Sequence, residues 1–487
     1  MPNTPFFPAW RPRLAALGSR TAQVFRQVRS HTLCKLETSL GSWVPTELFP
    51  KAADHENSRD RDYTRWRTFW CLLWQSLNPE ASGREVVRQL QALFRLEGGA
   101  SISEDDGGYC RAKARLPLTE FPKALAATAK AADRQASPMT PLRGRPLKAI
   151  DGSAITLPDT AKNRKAYPPL QCADLPSFPM MRIVVLFSLL SGAISLVAQG
   201  SLGVSELSLL GSLMSQWAAG DILLGDRGFG SYPVIALLQH RLKVDFIGRT
   251  TRRIDGRRRL KRLAKNDWLI LWKKSAKPSP WLSSVQWAGL PAQMTLRAVK
   301  GRCFQKGFRV RQVTVVTTLL DPHLYPAQEI LQAYLRRWRL EMCLDDLKTT
   351  LKLDLLRGRS PEMVQKELYA RLIAHNLIRC LVAQAAAEHG VALERVSFKG
   401  SLDALRHFSH AMARARSKKK RRELWAELLK TLATDLVPER PGRREPRAVK
   451  RKKNKYPRLD GPRRKFRDHP KRNVRRKNAR LRRLGLM

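Results

Sequence analysis

The chain has 487 residues, room for about three domains, and 43% of them are hydrophobic, which excludes a protein disordered throughout. Lys and Arg number 91 against 41 Asp and Glu, a net charge of +50 that calls for a polyanionic partner; nucleic acid is the first candidate and an acidic membrane surface the weaker one. The seven cysteines (Cys34, Cys71, Cys110, Cys172, Cys303, Cys343 and Cys380) are far apart with no Cys-x-x-Cys pair, which excludes a zinc ribbon or disulfide framework and points to a reducing compartment.

In chain order, the N-terminus MPNTPFFPAWRPRL lacks the charged start and apolar run of a signal peptide. Residues 1–140 read as a helical region, because Thr64–Leu77 and Gly83–Leu96 space apolar residues by three and four. Glu104–Gly108 breaks the pattern and Pro138–Pro146 reads as a linker. Leu147–Ile150 is a short apolar strand ending in Asp151-Gly152-Ser153. The stretch Ile183–Val197 is shorter than the ~18 residues a membrane span needs, and Ser191-Gly192 divides it into two buried strands. Val204–Ala219 reads as a helix, and Asp221–Gly225 as a strand ending in Asp226-Arg227-Gly228-Phe229. A helix (Tyr232–Arg241) and a strand (Val244–Gly248) follow, so residues 141–250 form the first part of a mixed α/β sheet.

Residues 251–309 are rich in β-formers and basic residues, with Trp268, Trp272, Trp281 and Trp287. Val310–Leu319 is a strand, and one long helix without Pro or Gly spans Ala327–Leu353, followed by a helix at Pro361–Glu388; residues 310–390 complete the sheet domain. A helical region (391–438) precedes a tail (439–487). From Arg440 onward this tail holds 22 Lys/Arg against three acids, and it reads as disordered until it meets an anion.

Asp151 and Asp226 each end an apolar strand, where side chains open onto a sheet's ligand crevice, although Asp-Gly also marks ordinary turns. The long helix is more specific. Tyr334, Arg337, Glu341 and Lys348, at offsets of 3, 7 and 14, fall within roughly 60° of arc. An i,i+4 salt bridge accounts for Arg337 and Glu341 but leaves the aligned phenol and ammonium unexplained. His375 and Asn376, on an apolar helix, are left out of the site because a lone buried His is more often a core residue.

These motifs resemble the IS4 family of DDE transposases, specifically its Tn5-like group. The signature of Tyr, two residues, Arg, three residues, Glu, six residues, Lys reads YLRRWRLEMCLDDLK from Tyr334 to Lys348. The strand block ending in Asp-Gly-Ser/Thr matches AIDGS at Ala149–Ser153, and the Asp-Arg-Gly-Phe block matches LLGDRGF at Leu223–Phe229. YCRAKARLP (Tyr109–Pro117) and RPGRREPRAVKRK (Arg440–Lys452) also look like family features. The resemblance implies an RNase H-like core interrupted by a β-rich insertion between Asp226 and Glu341, a gap of 115 residues. It implies an N-terminal part that reads the ends of a bacterial insertion sequence. It also implies a homodimer at the paired ends and a cytoplasmic, nucleoid-associated location without a membrane.

Three converging carboxylates repel one another and favour divalent cations, and an all-oxygen donor set selects Mg²⁺, with Mn²⁺ as a substitute. By resemblance, Asp151 bridges two such ions while Asp226 and Glu341 hold one each. Water then cuts at the element's end, and the freed 3′-OH forms a hairpin and finally joins target DNA. Tyr334, Arg337, Lys348 and Arg227 are the expected DNA contacts, and one of the four tryptophans is the candidate to stack where a base flips out. The competing readings are an inactive DNA-binding derivative, disfavoured by the intact acids, and an RNase H-like nuclease without strand transfer.

Overall fold

The computed structural model describes residues 39–50, 62–96, 102–138, 141–169, 178–250, 254, 259–302, 312–415, 417–438, 479–483 and 485. The basic tail expected at 439–487 lies outside the described residues, apart from the last few of these positions. Four helices come first: α1 (Arg65–Leu77), α2 (Gly83–Leu96), α3 (Gly107–Arg115) and α4 (Glu120–Gln135). The sheet region follows as β1 (Leu147–Thr156), α5 (Ala161–Ala166), β2 (Met180–Ser188), β3 (Ile194–Ser201), α6 (Glu206–Leu213), β4 (Ile222–Gly225), α7 (Tyr232–Ala236) and β5 (Asp245–Gly248). Next are β6 (Arg259–Ala264), β7 (Asp267–Lys273), α8 (Ser284–Ala288), β8 (Gln293–Arg302) and β9 (Gln312–Thr317). The chain then runs through α9 (Ala327–Arg336), α10 (Trp338–Thr349), α11 (Pro361–Glu388), α12 (Phe398–Arg414) and α13 (Lys418–Thr434).

Among the described residues nine strands join one sheet, in the order β3-β2-β1-β4-β5-β9-β8-β7-β6. The first five carry the RNase H-like arrangement: β1, β4 and β5 are parallel, β2 is antiparallel to β1, and β3 is antiparallel to β2. The β-rich segment extends this sheet as an antiparallel meander, with β9 pairing β5 through Ile247–Thr317 and Gly248–Val316. The apolar stretch Ile183–Val197 is indeed two buried strands with a turn between, and no helix among the described residues is long and apolar enough to cross a membrane.

Side-chain alternation splits β1 between two cores. Leu147, Ala149 and Ile155 face a large core with α1, α4 and α11; Ile150 faces a second one with α6 and α7. Helix α11 is capped by Ser360, whose hydroxyl accepts from Met363 N, begins at Pro361, and is buried on most sides. Asn376 braces it: its Oδ1 accepts from Ile194 N at 2.8 Å, and its amide donates to Ile194 O (2.8 Å) and Leu125 O (3.2 Å).

Two expectations change. The strand ahead of Asp151 does not stop there but continues to Thr156, because β2 pairs with it throughout. The single helix expected over Ala327–Leu353 is two helices broken at Arg337, where Arg337 N bonds Tyr334 O (3.1 Å) and Leu340 N bonds Arg337 O (3.0 Å). These three-residue turns tighten the chain there without any Pro or Gly to mark the break.

Candidate active site

The site lies where β1 and β4 part. Their ladder runs only from Leu147–Ile222 to Ala149–Leu224, after which β1 continues with β2 as its sole partner. One chain connection leaves β1 to one side and β4's successor leaves to the other, so this gap is the topological switch point of the parallel strands. Asp151 and Asp226 border it from two strands, and α10, carrying Glu341, packs against β1.

The three carboxylates share one electrostatic environment. Burial pushes the Asp151 carboxyl up to about 6; the Gly152 amide and Arg337 guanidinium oppose the rise, and the charges of Asp226 and Glu341 add to it. Each carboxylate has a donor of its own: Gly152 N donates to Asp151 Oδ1 (2.8 Å), and Gly228 N donates to Asp226 Oδ1 (2.8 Å). Arg337 Nη2 donates to Glu341 Oε1 (3.0 Å). Among the described residues no three acidic, His or Cys side chains are gathered into a ready-made metal cage. The donor chemistry nevertheless fits a hard divalent cation, since Asp151 and the two groups whose charges reach it are all carboxylates, with no sulfur or imidazole among them.

Tyr334 is buried, with the Arg337 guanidinium 5.9 Å from its ring centre. Burial raises its pKa, the charges of Arg337 and Arg249 oppose the rise, and Asp226 adds to it. Tyr334, Arg337 and Glu341 therefore meet Asp151 and Asp226 in one neighbourhood. Lys348 lies two turns further along α10, half-buried, and Arg227 is exposed in the turn after Asp226.

Two residues that sequence reasoning passed over belong here. Arg249 directly follows β5 as Asp226 follows β4, the same strand-end signal applied to a base rather than an acid. A Cβ on Gly230 would stand 1.7 Å from Arg249 O, so only glycine lets the Asp226 turn approach that strand end. Glu206 opens α6, whose Ser205 cap accepts from Ser208 N (3.0 Å), and its carboxylate lies against Gly152. It lines a cavity of about 310 Å³ with Arg182, Leu207, Gly228 and Phe229. No acidic periodicity around Glu206 marks it in the sequence. Of the four tryptophans, Trp272 and Trp287 are buried; Trp268 lies under Arg259 (4.4 Å to the ring centre) and Trp281 lines a cavity over α6.

The chain resembles known transposases over most of its length. A family profile described as a transposase DDE domain matches residues 142–377, a span that includes Asp151, Asp226 and Glu341. Transposase InsG for insertion sequence element IS4, from Escherichia coli K12, is 26% identical over 432 residues, covering 86% of this chain and 93% of the relative. The transposase for insertion sequence element IS421, from Escherichia coli, is 34% identical over 64 residues, 13% of this chain and 17% of that protein. Among solved structures, a piggyBac transposase synaptic complex with hairpin DNA aligns at a TM-score of 0.35 with 11% identity, over 86% of this chain and 85% of the other. With the domain profile lying over the switch-point site and the InsG match spanning nearly the whole relative, the chain belongs to the IS4 family of DDE transposases.

Proposed function

We propose that this DNA transposase cuts the ends of an insertion sequence and joins them to target DNA, with Asp151, Asp226 and Glu341 as its catalytic carboxylates. The observation that supports the assignment most is that Asp151 feels the charges of Asp226 and Glu341 at once. DDE enzymes work with divalent metal ions; here Asp151, Asp226 and Glu341 would hold Mg²⁺, with Mn²⁺ an acceptable substitute. Bound there, the ions would neutralise phosphate charge and activate the attacking oxygen for in-line displacement.

The chain's own residues position the DNA. Arg337 grips a phosphate with its planar donors while also holding Glu341, and Tyr334 orients Arg337 from the buried side. Lys348, Arg227 and Arg249 add cations around the same crevice, which fix the strand without reading its sequence. Water attacks first and leaves a 3′-OH. That hydroxyl then attacks the phosphodiester of the opposite strand, closing a hairpin and expelling the 3′-oxygen of the flanking DNA; a second water hydrolyses the hairpin, restoring the 3′-OH, which attacks a target phosphodiester and expels the target's 3′-oxygen. Two copies assemble on the paired ends, as the resemblance implies.

The test is incubation of the protein with DNA carrying the element's terminal repeats and Mg²⁺, followed by denaturing electrophoresis. Nicked, hairpin and joined products are expected, all lost on chelation. Cleavage without joined products would reduce the enzyme to a nuclease, and binding without cleavage would overturn the catalytic assignment.

A further inference from the structure

We infer that the first turn of α13 is a second DNA-backbone contact, separate from the catalytic crevice. This rests on the reading of the chain as a DNA transposase. Helix α13 opens with five consecutive cations, Lys418 to Arg422, and has no acid in its first turn. Positive charge at a helix N-terminus opposes the macrodipole, and adjacent cations repel, so an isolated helix would favour Asp or Glu here. Lys418, Lys419, Lys420 and Arg422 are exposed, and of these only Lys420 has an acidic partner among the described residues, Glu423 at 3.1 Å. The out-of-solvent Nε–H of Arg421 has no acceptor among the described residues.

The far side of α13 explains why the turn stays put. Leu428, Leu429 and Leu432 are buried in the large core, and Trp425 meets Trp43 with ring centres 6.0 Å apart. At the other end of the helix, Ser397 N donates to Asp435 O (2.9 Å), and Val437 shares a groove with Arg339 and Met342 of α10. Seventeen helical residues span about 25 Å, so the cationic turn stands that far along α13 from the end beside the catalytic helix. A patch of uncompensated cations held by a packed helix suits the phosphates of a duplex, and the contact carries no sequence information.

The experiment uses the full chain with Lys418→Ala, Lys419→Ala and Arg422→Ala combined, since Ala at exposed helix positions keeps the fold. Binding is measured over a range of KCl to a 40-base-pair duplex carrying the terminal repeat and to a random duplex of that length. The slope of log affinity against log salt should become shallower by about 2.7 for both duplexes, three phosphates at about 0.9 each. A charge-retaining variant, Lys418→Arg with Lys419→Arg, should keep the wild-type slope. A change smaller than about one phosphate, roughly 0.9, in a triple variant with wild-type circular dichroism overturns the contact. Wild-type protein that binds neither duplex overturns the transposase reading, and this inference falls with it.

Discussion

Arg337 holds Glu341 across one turn, with Nη2 donating to Oε1 at 3.0 Å, and does so from the residue where the helix breaks. The guanidinium is mostly buried and Glu341 is partly open, so a fixed base holds a carboxylate that solvent still reaches. The burial of the guanidinium makes this more than a surface salt bridge.

Replacing Arg337 with Ala should lower end nicking by roughly 10–100-fold, the range for losing a group that orients a metal ligand. Glu341→Ala should abolish nicking outright. Both variants should still bind end DNA in gel shifts. Wild-type nicking by Glu341→Ala would remove Glu341 from the catalytic assignment.

Lys348 is half-buried near the end of α10 and makes no hydrogen bond or ion pair with the three carboxylates. Lys348→Ala should therefore change stability by no more than about 0.5 kcal/mol while end processing falls. Urea denaturation and nicking assays on one preparation separate the two effects. A large loss of stability would give Lys348 a packing role instead.

The Asp226 turn tolerates no side chain at Gly230, where a Cβ would meet Arg249 O at 1.7 Å and Thr250 Cα at 3.3 Å. The obstacle is backbone, so it cannot swing aside. Gly230→Ala should destabilise by about 1–3 kcal/mol and displace Asp226, cutting nicking further than Lys348→Ala does. A variant with wild-type urea midpoint and nicking would show that the turn adapts.

His375 is fully buried, stacked on Phe398 with ring centres 5.1 Å apart. Burial, helped by the charge of Arg379 and opposed by Asn376, pushes its pKa down from 6.5 to about 3. Its folded pKa lies below its unfolded one, so the unfolded chain binds the extra proton. The contribution is present above pH 6.5 and is lost as pH falls toward 3. Between pH 6.5 and 4 the wild type should lose about 3 kcal/mol more stability than His375→Leu. Equal losses in urea titrations at the two pH values would mean the imidazole is not shielded from protonation.

Much of the architecture was legible from residue pattern. Gly83–Leu96 and Pro361–Glu388 match their helices end for end, since apolar spacing, the Ser360 cap and Pro361 are local signals. The extent of β1 was not legible: Asp-Gly-Ser reads as a turn until β2 is seen pairing along it. Nor was the break at Arg337, because no helix-breaking residue stands there. Arg249 was overlooked because a base at a strand end draws less notice than an acid, and Glu206 because nothing near it in sequence hints at Gly152.

The sequence alone determined the charge, the order of the main strands and helices outside the β-rich segment, and the three acidic blocks with their Tyr–Arg–Glu–Lys spacing. Charge is additive along a chain, and periodicity is set by neighbours a few residues away. Tertiary structure decided that β1 and β4 separate just past Ala149, that the β-rich segment extends the same sheet, and that the charges of Asp226 and Glu341 both reach Asp151. Those facts depend on strand register and helix packing between segments 75 and 115 residues apart, and interactions at that range leave no local pattern to read.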